Sequence, residues 1–295
     1  MSIYGNINSL YANKTYNNII QNQICDKNNY DENNFDENNY DDYLLSDVRN
    51  FDFNKIIGND MISKNYNEDD ANKINNLIYK INNSICGRVC VSPYLHGLYF
   101  LKELMKDNCK VYVEIGVFFG GSMILLMNQK TPCLFIGIDP FKGYYIKDQC
   151  NDEKFGYEDP MTGIPVSIRI TEHNIKKNNQ YNHEWYLIQA ESNSTSATHN
   201  LNNLLKNKMI DLLFIDGDHS YEGVIQDFKL YHKLVNVNGY IVFDNYSSGW
   251  QWPGVQKAVD EIKSNINKYG YKFVLVYGRP EIENVGAMVI IQRTR

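Results

Sequence analysis

Short apolar runs alternate with amphipathic stretches along the second two thirds of the chain. Seven runs of five to seven residues are rich in Val, Ile, Leu and Phe, and most are bounded by Gly, Asp or Asn, which is typical of buried strands. Between most of them, apolar residues recur at helical spacing. The predicted strands are 110–115, 133–138, 185–189, 210–215, 239–243, 271–277 and 286–292, and the predicted helices are 121–129, 195–206, 221–235 and 253–268.

This alternation predicts an α/β fold with a parallel sheet and right-handed crossovers. The last two strands have no helix between them, only residues 278–285, so we expect them to form an antiparallel pair at the end of the sheet. Upstream, apolar positions between residues 74 and 85 predict one helix. Ser92 and Pro93 are predicted to begin a second helix, as its N-cap and first helical residue.

The chain divides into three regions of different composition. Residues 1–66 are rich in Asn, Asp and Tyr and carry a tandem repeat at 28–42, so we predict a mostly disordered head, with an acidic and aromatic docking tail as the alternative. Residues 67–109 form a helical lead-in, and 110–295 form the main domain. Its long connection, 140–182, reads as an irregular insert that is either a substrate lid or a structural embellishment.

The charge of the chain is concentrated in the head. Residues 26–42 contain seven acidic residues and one lysine, which accounts for the net charge of −6 and leaves the rest about neutral. No basic surface is indicated, which argues against nucleic-acid binding. The six cysteines form no C-x-x-C pair, and no signal peptide or membrane span is recognisable, so we expect reduced thiols and a cytoplasmic protein.

Two of the predicted strands end in acidic residues 28 positions apart. Residues 212–215 lead into Asp216, and residues 240–243 lead into Asp244 and Asn245. Ligands of open α/β sheets bind at the carboxyl ends of the strands. If the two strands are neighbours, two carboxylates and an amide oxygen converge, and such hard oxygen ligands suit Mg²⁺ or a similar cation.

The first strand ends in an acid followed by widely spaced glycines. Gly116 and Gly120 permit a tight turn and a close approach of the backbone to a ligand, in the pattern Glu114-x-Gly-x-x-x-Gly, with Ser122 just beyond. This spacing differs from that of dinucleotide-binding turns, and a carboxylate at Glu114 suits an ammonium group better than a pyrophosphate. Asp139 ends the second strand, where an acid can accept both ribose hydroxyls or can simply cap a helix or close a turn.

Aromatic residues provide candidate contacts for an acceptor substrate. Trp250 and Trp252 follow the fifth strand in a polar loop, where their faces suit stacking on a sugar or an aromatic ring, or packing against the next helix. Tyr144, Tyr145 and His173 lie in the insert.

Together these motifs resemble class I S-adenosylmethionine-dependent methyltransferases. The segment Phe214 to Tyr221, followed by 239–245, is similar to the branch that contains macrolide-sugar O-methyltransferases and cephalosporin-hydroxylase-like proteins. The resemblance extends over about residues 110–292. It implies a Rossmann-like sheet of seven strands.

The resemblance also implies roles for individual residues. Glu114 and Gly116 would hold the methionine part of the cofactor and Asp139 its ribose. The candidate cofactor-binding set is completed by Gly120, Ser122, Ala190, Glu191, Ser192 and Asp216. Catechol and caffeoyl-coenzyme-A O-methyltransferases carry metal ligands at the positions of Asp216, Asp244 and Asn245. Those enzymes use a lysine as base where this chain has His219, and Asp218 is a second candidate for the base.

The implied activity is methyl transfer from S-adenosylmethionine to a hydroxyl of a sugar or another small polyol, assisted by a metal. One alternative is metal-independent transfer, with Asp216 and Asp244 only shaping the pocket. Another is a non-catalytic binding module that keeps the cofactor fold and recruits partners through its head. A homo-oligomer is also possible on this sequence.

Overall fold

The computed structural model describes residues 61–89, 94–142, 144–145, 155–156, 158–159, 162–247, 252–278, 280 and 286–295, with the backbone alone at 144–145 and 155–156. All of them belong to one compact unit, Leu44–Arg295. The predicted head therefore lies outside the described residues, except for its last six positions. None of the helices in this described part combines the length and the hydropathy needed to cross a membrane.

A seven-stranded sheet with the order β5-β2-β1-β6-β7-β9-β8 forms the centre of the molecule. The first five strands in this order pair in parallel, and β9 pairs antiparallel to both β7 and β8. The predicted α/β sheet and its antiparallel last pair are thus confirmed. The strands are β1 Val111–Ile115, β2 Leu134–Asp139, β5 Glu184–Gln189, β6 Ile210–Ile215, β7 Val235–Tyr246, β8 Tyr271–Tyr277 and β9 Ala287–Arg293, and a separate two-stranded pair is formed by β3 Tyr144–Tyr145 and β4 Phe155–Gly156.

Helices cover both faces of the sheet. They are α1 Glu68–Ser84, α2 Leu95–Met105, α3 Gly121–Met127, α4 Ile168–Asn178, α5 Thr195–Leu205, α6 Tyr221–Tyr231, α7 Pro253–Ser264 and α8 Ile266–Tyr269, with short 3-10 turns at Lys106–Asn108 and His232–Leu234.

Two predictions about helices are wrong. Helix α2 begins at Leu95 with Tyr94 in the N-cap position, and no side-chain hydrogen bond caps it, whereas Ser92 and Pro93 lie outside the described residues. The insert is not irregular throughout, because it contains α4. The Ser167 hydroxyl caps this helix by accepting the Ile170 N–H at 3.4 Å.

The two faces of the sheet have different partners. Val113, Ile115 and Phe243 belong to a buried cluster with residues of α5, α6 and α7. The alternate residues of β1 point to the opposite face, where Glu114 contacts α3. The described helices α5 and α6 begin directly above the carboxyl edge of the sheet, since each follows a strand by a loop of five residues.

The strand register aligns the predicted site residues that follow the strands. Ile115 of β1 pairs with Ile138 of β2 and with Ile215 of β6. Ile215 in turn pairs with Phe243 of β7. The next residue of each strand therefore lies along the carboxyl edge in one row, here called the edge row: Gln189, Asp139, Gly116, Asp216 and Asp244. Residues from β1 and β2 and from β6 and β7 thus meet at this edge, as the sequence predicted.

Candidate active site

Glu114 has a fully buried carboxyl group and lies on β1, two residues before Gly116 of the edge row. Its Oε2 accepts the Tyr112 hydroxyl at 2.6 Å, and its Oε1 accepts the Ser122 hydroxyl. The pKa of Glu114 is raised to about 8, chiefly by burial. The charges of Asp216 and Asp139 contribute to this rise, and the hydrogen bonds from Ser122 and Tyr112 oppose it. Glu114, Asp216 and Asp139 are therefore close enough for their charges to interact.

The glycine turn, residues 116–121, connects β1 to α3. Gly116 has φ +86°, and a Cβ there would lie 1.9 Å from the carbonyl oxygen of Asp216. Glycine is needed at this position because the backbone of β6 approaches so closely. Gly120 also has φ +86°, and it forms the N-cap of α3. Ser122 lies on α3 and donates its hydroxyl to Glu114, so its observed contact is with the acid of the turn.

Asp139 is attached to the glycine turn by backbone hydrogen bonds. Its Oδ2 accepts the N–H groups of Val117 and Phe118 at 2.8 and 2.9 Å, and its Oδ1 accepts the N–H of Phe141 at 2.6 Å. Burial raises the pKa of this carboxyl group, and the hydrogen bonds from Phe118, Phe141 and Val117 oppose that rise. The hydrogen bond from Phe141 closes the turn after β2, which is one of the alternatives offered by the sequence. Three of the roughly four acceptor positions of the carboxylate are occupied, and one on Oδ1 is left for a ribose hydroxyl.

The loop after β5 carries three residues of the predicted cofactor-binding set, Ala190, Glu191 and Ser192. The Ala190 N–H donates to the Asp139 carbonyl oxygen at 3.1 Å, so this loop is adjacent to the end of β2. Glu191 is exposed and lies 3.5 Å from Lys142. The Ser192 carbonyl oxygen accepts the Tyr231 hydroxyl of α6.

His219 is held between an acid and an aromatic ring. Its Nε2 lies 3.2 Å from Oδ1 of Asp216, and both side chains are about one quarter exposed, at 24% each. The indole of Trp252 meets the imidazole edge to face, with ring centroids 4.4 Å apart. Close packing of α7 supports this arrangement, since a Cβ at Gly254 would lie 2.7 Å from the His219 carbonyl oxygen. His219 and Asp216 thus form a hydrogen-bonded pair at the edge row.

Asp218, the other predicted base, has a role in the turn before α6. Its Oδ1 accepts the Ser220 N–H at 2.8 Å, and the Ser220 hydroxyl in turn caps α6 by accepting the Gly223 N–H at 3.0 Å. A Cβ at Gly223 would lie 2.5 Å from the side chain of Asp218, so the helix packs closely against it. These contacts favour His219 over Asp218 as the group available to a substrate.

Asp244 and Asn245 lie at an irregularity of β7. The pairing of β7 with β9 shifts register between Phe243 and Tyr246, and Asn245 has φ +58°. Asn tolerates this conformation better than most residues, and such bulges redirect side chains beside active sites. Asp244 is buried, at 5% exposed. The predicted neighbourhood of β6 and β7 is therefore confirmed, with Asp216 and Asp244 consecutive in the edge row.

Two of the five candidate acceptor residues, His173 and Trp252, have side chains among the described residues. Trp252 is half-buried against His219, and His173 is exposed on α4. Tyr144 and Tyr145 form β3, whose side chains lie outside the described residues, as does Trp250. Trp252 is therefore the member of this group that the structure brings to the predicted base.

Two residues of the site were missed from the sequence. Tyr112 donates to Glu114 from two positions earlier on the same strand face, a spacing that could have indicated it. Asp227 of α6 is 1% exposed, beneath the loop at Gly217 and near Ser192. Burial raises the pKa of Asp227 to about 7, the Ser192 hydroxyl lowers it and the charge of Asp218 raises it.

The strand order, the antiparallel last pair and an acid-bearing glycine turn after β1 define the Rossmann-like fold of the S-adenosylmethionine-dependent methyltransferases. A family profile described as a methyltransferase domain matches residues 113–246, a range that contains the glycine turn and the whole edge row. The chain is also 36% identical over 200 residues to the uncharacterized protein R132 of Acanthamoeba polyphaga mimivirus, and this match covers 66% of the chain and 79% of that protein. The chain belongs to this methyltransferase family.

Two solved methyltransferase structures are distantly similar to this chain. The calicheamicin methyltransferase CalS11 is 14% identical, with a TM-score of 0.48 over 81% of this chain and 96% of that one. The O-methyltransferase NovP is 21% identical, with a TM-score of 0.46 over 68% and 79% of the two chains.

Proposed function

We propose that this methyltransferase transfers a methyl group from S-adenosylmethionine to a hydroxyl of a sugar or another small polyol. The observation that carries this proposal is the pair formed by His219 and Asp216 at the edge row, next to the glycine turn. A base for an acceptor hydroxyl and a turn suited to the cofactor then lie on adjacent strands, β6 and β1.

The cofactor-binding half of the site would be formed by β1, β2 and the loop after β5. When bound, S-adenosylmethionine supplies a methyl group activated by a sulfonium. Glu114 offers a buried carboxyl group to the ammonium of the methionine part, and Asp139 offers oxygens to the ribose. The loop 190–192 would contact the adenine, with Gly120 and Ser122 shaping the turn.

The acceptor half would be formed around His219. If its Nε2–H donates to Asp216, the imidazole is held in one tautomer and Nδ1 is left to accept the proton of the acceptor hydroxyl. Trp252 restricts the ring from the other side. Alignment of the acceptor oxygen with the methyl group then supplies much of the rate enhancement, as in other reactions between two bound partners.

A divalent metal ion would fit the donor set chemically. Asp216, Asp244 and Asn245 offer two carboxylates and an amide oxygen from adjacent strands, which are ligands that Mg²⁺ prefers. When bound, the ion would lower the pKa of a coordinated acceptor hydroxyl. Across the described ranges, no three His, Cys, Asp or Glu side chains are grouped so that they could hold a metal. The proposed set has only two carboxylates, so metal assistance depends on the amide and on water or substrate oxygens.

Metal-independent transfer is the second candidate, and one contact favours it. Oδ1 of Asp216 is already the partner of His219, so the two residues could act as an acid-oriented base without an ion. In that case Asp244 would only help to form the wall of the pocket.

Two measurements test cofactor binding and methyl transfer. Calorimetry with S-adenosylhomocysteine comes first, because absence of binding would overturn every cofactor-dependent reading. Turnover of S-adenosylmethionine with a panel of hexoses and nucleotide-linked hexoses then identifies an acceptor. A non-catalytic module would bind the cofactor product and show no turnover with any of them.

Variants then test the base and the metal. His219→Ala is expected to lower kcat by about 10²- to 10⁴-fold between pH 6 and 9, whereas His199→Ala, on the exposed face of α5, leaves it unchanged. An undiminished rate in the His219 variant would exclude the proposed base. Loss of activity with a chelator and in Asp244→Ala, but not in the exposed Asp107→Ala, supports metal assistance. Full activity in both tests leaves the metal-independent reaction.

A further inference from the structure

A short segment before α2 crosses the glycine turn. This strap, residues 85–89, packs so closely on the turn that a Cβ at Gly87 would lie 2.5 Å from the ring of Phe119. On its other side, the amide of Asn174 accepts the Cys86 N–H at 2.8 Å and donates to the Cys86 carbonyl oxygen at 2.9 Å. The strap therefore lies between the glycine turn and α4 of the insert.

Arg88 of the strap forms a buried ion pair with the insert. Its Nε donates to Oδ1 and Oδ2 of Asp159 at 3.1 and 3.0 Å, and its Nη2 donates to Oδ1 at 3.0 Å. Arg88 is 8% exposed and Asp159 is fully buried. Asp159 also accepts the N–H and the hydroxyl of Thr162, and its own N–H donates to the Ile164 carbonyl oxygen. One carboxylate thus organises the local fold of the insert and binds the strap.

The same guanidinium group contacts the glycine turn. The Cζ of Arg88 lies 5.3 Å from the centroid of the Phe118 ring, within the range of a cation–π interaction. The Phe118 N–H donates to Asp139, and the Phe118 carbonyl oxygen accepts the Thr171 hydroxyl of α4 at 2.6 Å. Phe118 has φ +54°, so its backbone is held in a conformation that few side chains adopt. The glycine turn is thus in contact with the insert through Thr171 of α4 and, by way of Arg88, through Asp159.

We propose that Arg88 is a positioning residue that couples the glycine turn to residues 162–178 of the insert, so that both respond together when the cofactor binds. The contacts of Arg88 join Phe118, next to the proposed ribose acceptor, to Asp159, which organises the insert. The proposal rests on the proposed function, because it assumes that S-adenosylmethionine occupies the glycine turn. Arg88 need not touch the cofactor or the acceptor for this role.

Hydrogen exchange of the full-length protein with and without S-adenosylhomocysteine tests the coupling. In the wild-type protein we expect the ligand to slow exchange about fivefold or more, both in residues 110–125 and in 162–178. The double variant Arg88→Met with Asp159→Asn removes both charges of the buried pair and leaves the asparagine carbonyl oxygen to accept from Thr162. In it, the ligand should still slow exchange at 110–125, while the effect at 162–178 falls below about twofold.

Two further variants complete the design. Lys176→Gln removes the exposed ion pair with Glu172 on α4, and it should keep the wild-type response in both segments. Asp159→Asn preserves the shape of the side chain, and it gives a second reading if circular dichroism shows that the double variant does not fold. Its response at 162–178 should fall at least about twofold below that of the wild type.

The outcomes separate this inference from the function on which it rests. Absence of S-adenosylhomocysteine binding to the wild-type protein would overturn both. Binding that slows exchange at 110–125 without any effect at 162–178 would overturn the coupling alone. An undiminished response at 162–178 in the double variant or in Asp159→Asn would also overturn it, since the ion pair would then carry no coupling.

Discussion

Replacement of Glu114 with glutamine is expected to change stability and cofactor binding in opposite directions. Burial raises the pKa of Glu114 from 4.5 to about 8 in the folded protein. Because the folded-state pKa lies above the unfolded one, the stabilisation associated with the protonated form is complete below about pH 4.5 and is lost as the pH rises through 8. The difference between the pKa values of Glu114 in the unfolded and folded protein corresponds to at most about 5 kcal/mol of unfolding free energy.

Chemical denaturation at pH 5, 7 and 9 measures this effect. The unfolding free energy of the wild-type protein should fall relative to that of Glu114→Gln between pH 5 and 9, by several kcal/mol at most. The glutamine keeps the shape of the side chain and can still pair with the hydroxyls of Tyr112 and Ser122. Glu222→Gln, an exposed change on α6, provides the control and should run parallel to the wild type.

Calorimetry with S-adenosylhomocysteine measures the other half of the prediction. Loss of the carboxylate should weaken binding by roughly 10- to 100-fold at pH 9, since a charged hydrogen bond to the ligand's ammonium is removed. At pH 7 the wild-type protein should release close to one proton on binding, because most Glu114 side chains are protonated beforehand. Parallel denaturation curves for the two proteins, or equal affinities without proton release, would refute this reasoning.

Three further substitutions follow from the packing and the buried groups. Gly116→Ala should abolish cofactor binding or destabilise the fold by several kcal/mol, because its Cβ would lie 1.9 Å from a backbone oxygen, whereas Gly163→Ala, with nothing within 4 Å, should cost about 1 kcal/mol in thermal unfolding. Burial lowers the pKa of His232 to about 4, so the folded protein should lose at most about 3 kcal/mol as the pH falls from 6.5 to 4, and His232→Gln should remove this loss in denaturation curves. Burial raises the pKa of Asp227 to about 7, so its effect on stability has the opposite pH dependence. The unfolding free energy should fall by at most about 4 kcal/mol as the pH rises from 4 to 7, and Asp227→Asn should flatten that slope.

The strands and their carboxyl ends could be predicted from the sequence because buried parallel strands leave a simple signal. Residues 212–215 and 240–243 are uninterrupted apolar runs, and the first polar residue after each marks the edge of the sheet. That Asp216 and Asp244 would be neighbours followed from sequential strands pairing, which is the common case. Once these strands pair in parallel, their register places Asp216 and Asp244 in one row with Gly116 and Asp139.

The remaining features depend on contacts between distant segments. Helix α4 was missed because its buried face includes Thr171 and Asn174, which bind the glycine turn and the strap and so weaken the apolar pattern. The hydrogen bonds of Asp139 depend on where the turn lies in space. The conformation of Asn245 depends on Gly286, whose added Cβ would lie 3.0 Å from the Asn245 Cα. No local pattern of residues reports such approaches.

The edge row has a consequence for the order in which the chain can become active. β1 and β2 are joined by 18 residues, which include α3, and can pair early. Ile115 and its partner Ile215 are 100 residues apart, so the proposed base is synthesised much later. β9, which pairs with β7 at the residues on either side of the irregularity at Asp244 and Asn245, is the last strand to be synthesised. Nascent chains would therefore contain the glycine turn before they contain the proposed base. Substitutions that delay pairing of the late strands would lower the yield of active enzyme without altering the chemistry of the finished molecule.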